Sequence, residues 1–235
     1  LLMDLFASET FYALEYQGNK KCFREPLTQA LDKNLWNTQN PLNFNKRIKI
    51  LHSVGNFKQR TTNQKNIKGS KIIFNSIKEL IKDGFNIELI NPTNNINSIE
   101  YINIIKNSDI VIDQLNFGRF GSITREALML NKPVIVFINP KEPKDFFQLQ
   151  SLKELPIISS SEKQFKNVFI KTINSYKSGV IKKNILNNKY RNYAIRWFAA
   201  ENCAERFEKV YDGLFENRKP FEIDNQLFPN RIINS

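Results

Sequence analysis

The chain has 235 residues, and its 41% hydrophobic and 25% charged content is typical of a globular protein that buries a core. No apolar run approaches the roughly 20 residues that cross a bilayer, so no transmembrane helix is predicted. The net charge of +12 comes from lysines scattered among asparagine and isoleucine, a pattern that favours phosphorylated small molecules or an anionic membrane surface over nucleic acid.

A strand–helix rhythm begins at Arg47, after an irregular and polar segment. Short apolar runs predict strands, and apolar residues at helical spacing predict the helices between them. The predicted strands cover residues 48–52, 86–90, 110–112, 133–138 and 155–159. The predicted helices cover residues 70–83, a segment after Asn97, a segment around Glu126, and residues 145–152, 162–176 and 181–211.

Apolar strands that alternate with helices predict an α/β fold, a doubly wound parallel sheet of Rossmann-like type covered on both faces. We assign residues 47–216 to this domain, residues 1–46 to an N-terminal remnant or linker, and residues 217–235 to a tail. In such a sheet, ligands bind beyond the carboxyl ends of the strands. Those ends lead into residues 53–69, 91–95, 114–121 and 139–144, so we expect the ligand site at that edge.

Residues 109–138 are the most informative stretch. A strand ends in Asp113-Gln114, a loop carries Gly118 and Gly121, and a helix follows with Glu126 near its start. A glycine loop that opens a helix presents backbone N–H groups at the positive end of the helix dipole, which favours anions. An acid one turn inside that helix is placed to accept hydrogen bonds from ribose hydroxyls.

Simpler structural explanations exist for the same residues. Glu126 can be a first-turn acid favoured by the helix dipole, and the two glycines can be ordinary turn residues. Lys68 alone can be a solvated lysine, and Asp113 can cap a helix or loop. Arg119 fits the rim of a site better than its centre. His52 is best explained as a buried, hydrogen-bonded side chain.

No metal site is predicted. His52 is the single histidine, which excludes a multi-histidine metal site and any Ser-His-Asp triad not built around it. Cys22 and Cys203 are isolated and lack metal-binding spacing, so we expect reduced, structural thiols of a cytosolic protein.

Three groups of residues carry a family resemblance. The first comprises Gly118-Arg119-Phe120-Gly121, Glu126-Ala127-Leu128 and Asn131-Lys132-Pro133. The others are Ile50-Leu51-His52-Ser53 leading to Asn66-Ile67-Lys68-Gly69-Ser70, and the segment 193–214. Together they resemble the nucleotide-binding core of GT-B glycosyltransferases of the retaining, group 1/family 4 type. The resemblance extends over residues 47–214 and implies the C-terminal, nucleotide-sugar-binding half of a GT-B fold.

The resemblance implies a role for each matching residue. Lys68, with Arg60 as a second cation, would be the catalytic pair that neutralises the donor diphosphate as the glycosidic bond breaks. Glu126 would accept hydrogen bonds from the ribose. No cofactor is implied, and the substrate is a UDP- or GDP-linked sugar. No metal is required, because Lys68 and a helix N-terminus can stabilise the charge. The other implied nucleotide-binding positions are Gly55, Asn56, Gly118, Arg119, Phe120, Gly121, Ser122 and Ile123.

The chain departs from the family at three points. The family commonly has another glutamate eight positions before Glu126, where this chain has Gly118. The usual arginine after a glycine at the first strand end is missing, because Gly55-Asn56 stands there, and Arg60 is our substitute from a longer loop. The N-terminal acceptor domain is also absent. Since the chain begins Leu1-Leu2-Met3, we expect that domain in sequence upstream.

We therefore expect a glycosyltransferase that moves a sugar from a nucleoside diphosphate sugar to a hydroxyl acceptor, a glycan or a lipid-linked molecule. Surface polysaccharide or glycolipid synthesis is the expected context, in the cytoplasm and peripherally on the inner membrane face. The alternative is a non-catalytic nucleotide-binding or partner-binding module, which the missing acid and missing acceptor domain favour. A basic nucleic-acid-binding domain is the third hypothesis.

Overall fold

The computed structural model describes residues 30–38, 47–54, 66–92, 96–139 and 154–218. The chain forms two compact units. The larger unit comprises Asn34–Pro140 and Pro156–Ala194, and the smaller unit comprises Leu1–Lys33, Lys141–Leu155 and Ile195–Ser235. The domain boundaries at residues 47 and 216 stay a prediction.

The larger unit contains a five-stranded parallel sheet in the order β2-β1-β3-β4-β5. Every residue of β3 and β4 is buried, as expected for strands covered on both faces. This sheet confirms the predicted doubly wound α/β fold. Its strands are β1 (Ile48–His52), β2 (Ile87–Ile90), β3 (Ile110–Ile112), β4 (Val134–Val136) and β5 (Ile158–Ser159).

Helices alternate with these strands, and their buried faces follow the predicted periodicity. In the first helix, Ile73, Ile77 and Leu80 are buried at helical spacing. Burying such a side chain stabilises the fold by about 1.5–3 kcal/mol. The helices of this unit are α1 (Ser70–Lys82), α2 (Ser98–Lys106), α3 (Ser122–Met129), α4 (Phe165–Lys177) and α5 (Val180–Leu186), with a short 3-10 helix at Glu162–Gln164.

Local chemistry sets the helix ends. Gly69 precedes α1 with φ +69°, and Gly84 follows that helix with φ +84°. Both angles lie in the left-handed region that glycine adopts most readily. The Asn97 side chain accepts a hydrogen bond from the Glu100 N–H at 2.9 Å, which confirms the predicted cap of α2.

The segment predicted to be helical over residues 181–211 is divided by two breaks into α5, α6 (Lys189–Phe198) and α7 (Ala200–Phe215). Asn188 lies in the first break, between α5 and α6, and its φ of +53° is not helical. At the second break, in the smaller unit, the Leu31 N–H donates to the Phe198 carbonyl at 2.8 Å and the Leu31 carbonyl accepts from the Ala200 N–H at 3.0 Å. Helical periodicity runs through both breaks, so the pattern alone did not reveal them.

Cys203 of α7 is buried, and its thiol donates a hydrogen bond to the Trp197 carbonyl at 3.6 Å. The expectation of a structural thiol is confirmed for this residue. Cys22, the predicted helix over 145–152 and residues 219–235 lie outside the described part of the chain. None of the described helices is long and apolar enough to cross a membrane.

Candidate functional site

The strand order marks one point of the sheet for ligand binding. The chain goes from β1 to its neighbour β2 and then returns to β3 on the other side of β1. Ligands of open parallel sheets bind beyond the carboxyl ends of strands at such a reversal. His52 of β1 and Ile112 of β3 are register partners at these ends. Ser53 directly follows β1 and Asp113 directly follows β3, so both residues lie at the candidate site.

Asp113 is a fully buried carboxylate at this edge, with 0% of its surface exposed. Its Oδ1 accepts from the Lys68 ammonium at 2.5 Å, and its Oδ2 accepts from the Gly121 N–H at 2.8 Å and from the Thr124 hydroxyl at 2.7 Å. Gly121 is the cap position of α3 and has no side chain to cap with. Asp113 therefore caps α3 from the end of β3, as the structural explanation of this residue predicted.

A tight loop before α1 holds Lys68 in place. The Gly69 N–H donates to the Asn66 side-chain carbonyl at 3.1 Å, and the Asn116 amide donates to the Asn66 backbone carbonyl at 2.7 Å. A side chain at Gly69 would begin 3.0 Å from the Leu115 Cβ, so the two loops pack closely. The Lys68 side chain is only 8% exposed. The ammonium is thus fixed between the ends of β1 and β3.

His52 lies fully buried beneath the site, as the structural explanation predicted. Its Nδ1 is 3.0 Å from the Ile112 carbonyl and its Nε2 is 2.9 Å from the Ser70 hydroxyl. Because a carbonyl oxygen only accepts, Nδ1 carries the proton and Nε2 accepts from Ser70. Burial is the main cause that lowers the pKa of His52 from 6.5 to about 4, so the ring is neutral at physiological pH.

The glycine loop has a fixed conformation. Gly118 has φ +85°, its carbonyl accepts from the Asn139 N–H at 2.9 Å, and a Cβ on it would lie 2.8 Å from the Asn139 Cβ. The Gln114 side chain donates to the Arg119 carbonyl. Phe117 stands out from this loop, 53% exposed. The loop therefore has no room for a side chain at position 118.

The first turn of α3 has two backbone donors to offer. The Gly121 N–H is taken by Asp113, and the Thr124 N–H donates to the Gly121 carbonyl at 3.2 Å. Among described residues, the N–H groups of Ser122 and Ile123 have no hydrogen-bond acceptor. Such groups at a helix start are satisfied by water or by a ligand, and an anion suits them best.

Glu126 is half-buried, and its side-chain carboxylate makes no hydrogen bond or ion pair with another described residue. Burial is the main cause that raises its pKa, the Arg125 guanidinium opposes this effect, and the Asp113 carboxylate adds to it. Tyr101 of α2 lies close to Glu126. Burial is the main cause that raises the pKa of Tyr101, and the Glu126 charge is the second. The Tyr101 hydroxyl is also hydrogen-bonded to Ser53. The carboxylate of Glu126 therefore faces the same edge with unused acceptor capacity.

The structure brings most of the predicted site residues to one edge of the larger unit. Lys68 and Glu126 lie there with the glycine loop and the start of α3, which carry Gly118, Arg119, Phe120, Gly121, Ser122 and Ile123. Gly55, Asn56 and Arg60 lie outside the described residues, so their predicted roles stay predictions. Within the described ranges, no group of three or more His, Cys, Asp or Glu side chains is arranged to hold a metal ion.

Sequence reasoning missed Thr124, Ser70 and Tyr101. Each is a common residue type with no motif of its own. Thr124 and Ser70 stand in the first turns of α3 and α1, where hydroxyls commonly bond to nearby acceptors, and this position was the available signal. Nothing in the α2 sequence distinguishes Tyr101, whose place depends on the packing of that helix.

No protein-family model and no curated protein matches the chain. Among solved structures, the chain is similar to the sucrose-phosphate synthase of Thermosynechococcus elongatus, with a TM-score of 0.54 and 14% identity. The match covers 91% of this chain and 58% of that one, so this chain spans just over half of it. A protein assigned as a UDP-N-acetylglucosamine 2-epimerase of Listeria monocytogenes matches with a lower TM-score of 0.42, at 13% identity over 91% of this chain and 59% of that one. The first likeness concerns the fold, and it agrees with the Rossmann-like α/β fold of GT-B type.

Proposed function

We propose that this chain is the donor-binding domain of a glycosyltransferase, which transfers a sugar from a UDP- or GDP-linked donor to a hydroxyl acceptor. The observation that carries the proposal is the half-buried carboxylate of Glu126, unpaired among the described residues, at the strand edge where such sheets bind ligands. A carboxylate accepts two hydrogen bonds from a pair of neighbouring hydroxyls, and a ribose presents such a pair.

The diphosphate of the donor would lie at the start of α3. The free N–H groups of Ser122 and Ile123 and the helix dipole favour an anion there, and the Lys68 ammonium adds a positive charge. As the glycosidic bond breaks, the leaving diphosphate gains negative charge, and fixed donors stabilise that charge in the transition state. Arg60 is proposed as the second cation, with Gly55 and Asn56 in the same loop.

The sugar end of the site would differ from the related family. Gly118 replaces the acid that contacts the transferred sugar, and the crowding against Asn139 leaves no space for a larger residue. We assign sugar contacts to the glycine loop itself, from Phe117 to Phe120. Retention of the anomeric configuration would follow from membership of the family type that the motifs resemble.

A second candidate function is a non-catalytic nucleotide-binding or partner-binding module. The crowded Gly118 favours it, because the chain lacks an acid that the related enzymes use at the transferred sugar. Release of free sugar, or its transfer to an acceptor, from UDP- or GDP-linked donors separates the two candidates. Turnover supports the enzyme, whereas tight nucleotide binding without turnover supports the module.

The remaining partners are proposals of the same kind. We assign the acceptor to a glycan or a lipid-linked molecule of surface polysaccharide synthesis, and we propose a separate acceptor-binding domain as a partner of this one. The net charge of +12 fits attraction to an anionic inner membrane face, so we place the protein in the cytoplasm and peripherally on that membrane. Nucleic acid is not among the proposed partners.

Calorimetric titration of UDP and GDP into the protein tests the proposal. Glu126→Ala and Lys68→Ala should each weaken binding of the nucleotide that the wild type prefers, because each removes one of its polar contacts. Glu79→Ala is the matched control, since that exposed glutamate of the same unit lies in the last turn of α1, at the opposite end of that helix from Lys68. The proposal fails if both site variants bind UDP and GDP as the wild type does.

A further inference from the structure

Asp113 connects the two elements that contribute to the proposed diphosphate site. One carboxylate oxygen accepts from the Lys68 ammonium, 45 residues earlier in the chain, and the other accepts from the Gly121 N–H and the Thr124 hydroxyl of the α3 start. The side chain is completely buried. A single carboxylate thus holds both a cation and a helix N-terminus.

This arrangement exceeds what capping α3 requires. Neutral Ser, Thr or Asn side chains cap helices well, and such a residue at position 121 would cap α3 without any buried charge. The chain has a glycine there instead, whose absent Cβ would lie 3.2 Å from the Asp113 Oδ2. A buried carboxylate needs charged and hydrogen-bonding partners to be tolerated, and Lys68 supplies the charge. The cap and the cation therefore depend on each other.

We infer that Asp113 is a positioning residue of the diphosphate site, which aims the Lys68 ammonium and the first turn of α3 at the same ligand. The inference rests on the proposed function. A lysine ammonium is a point charge on a flexible four-carbon stem, so fixing its direction before the ligand arrives lowers the entropy lost on binding. Lys68 uses one of its three N–H donors on Asp113, which leaves donors for a phosphate beside Ser122 and Ile123.

A double-mutant cycle with inorganic pyrophosphate as the probe tests this inference. The affinity is measured by calorimetry on the full chain for the wild type, Lys68→Met, Asp113→Asn and the double variant. Asn keeps an oxygen that can cap α3 but removes the charge that holds Lys68. Each single variant should bind pyrophosphate about tenfold more weakly, the size expected for one charge-assisted hydrogen bond. The double variant should bind no more weakly than the weaker single variant, because Asp113 acts through Lys68.

The matched control is an exposed ion pair elsewhere in the same unit. Lys166 and Glu79 are 2.7 Å apart and both side chains are about half exposed, at 46% and 55%. Lys166→Met and Glu79→Gln remove the same charges as the test variants and should leave pyrophosphate affinity unchanged. If Asp113→Asn does not fold, Asp113→Glu replaces it, since the longer side chain keeps the charge but displaces the ammonium and should also weaken binding.

Three results overturn the inference. In the first, Asp113→Asn binds pyrophosphate as the wild type does, so Asp113 is only a structural cap. In the second, Asp113→Asn binds pyrophosphate more tightly, so the carboxylate competes with the ligand. In the third, the two substitutions have additive effects. If Lys68→Met weakens pyrophosphate binding, each of these results leaves the proposed function intact. The proposed function itself is refuted if the wild type binds none of UDP, GDP and pyrophosphate.

Discussion

The stability of a Gly118→Ala variant tests which forces shape the glycine loop beside the candidate site. Two costs add at this position. A residue with a Cβ loses about 1–2 kcal/mol in the left-handed region, where Gly118 has φ +85°. The new methyl group would also lie 2.8 Å from the Asn139 Cβ, and forcing an atom into such a space costs about 1–3 kcal/mol. We expect the variant to lose roughly 2–5 kcal/mol of unfolding free energy.

Gly84→Ala is the control that separates these costs. Gly84 has nearly the same angle, φ +84°, but a Cβ there would have no atom within 4 Å. Only the backbone cost applies, so we expect a loss of about 1–2 kcal/mol. Equilibrium urea unfolding of the wild type and both variants gives the comparison. In an Asn139→Gly background, which removes the clashing Cβ, Gly118→Ala should lose only about as much unfolding free energy as Gly84→Ala does.

The reasoning is refuted if Gly118→Ala and Gly84→Ala lose the same unfolding free energy. In that case the contact with Asn139 relaxes without cost, and crowding does not explain why position 118 lacks an acid. A Gly118→Glu variant that folds as stably as the wild type would contradict the account in the same way.

Two further predictions concern stability. The pKa of His52 is about 4 in the folded protein and 6.5 in the unfolded chain. As the pH falls, the unfolded chain therefore takes up a proton first, and protonation favours unfolding. The unfolding free energy should drop by about 3 kcal/mol between pH 6.5 and 4. His52→Gln should show a shallower pH dependence in urea unfolding over that window, and an unchanged slope would contradict the assignment. Asn97→Ala removes the cap of α2 and should cost about 1 kcal/mol by the same method, whereas Asn97→Ser should retain most of it.

The fold followed closely from the sequence because its signals are local. Buried strands appeared as short apolar runs, and the start of α2 was marked by a capping asparagine next to an apolar periodic segment. The break of the long C-terminal segment into three helices was missed for a physical reason. The backbone of Leu31 enters the gap between α6 and α7, and no residue within the helices signals a partner so distant in the chain.

The candidate site was predictable where it depends on backbone geometry and not where it depends on side-chain pairing. A glycine loop followed by a helix with an early acid placed Gly121 and Glu126 correctly at the strand edge. The link between Lys68 and Asp113 joins residues 45 positions apart, and either residue alone fits a solvated surface equally well. Tyr101 was missed because its position depends on how α2 packs against the sheet.

The central claim is that Glu126 binds the ribose of a nucleotide whose diphosphate lies at the start of α3. The most direct test compares UDP, GDP and pyrophosphate affinities in the wild type and in Glu126→Gln, which keeps the size of the side chain but removes its charge. The account predicts that Glu126→Gln weakens binding of the preferred nucleotide about tenfold and leaves pyrophosphate binding unchanged, because pyrophosphate has no ribose. Equal nucleotide affinity in the two proteins, or an equal loss for pyrophosphate, would contradict it.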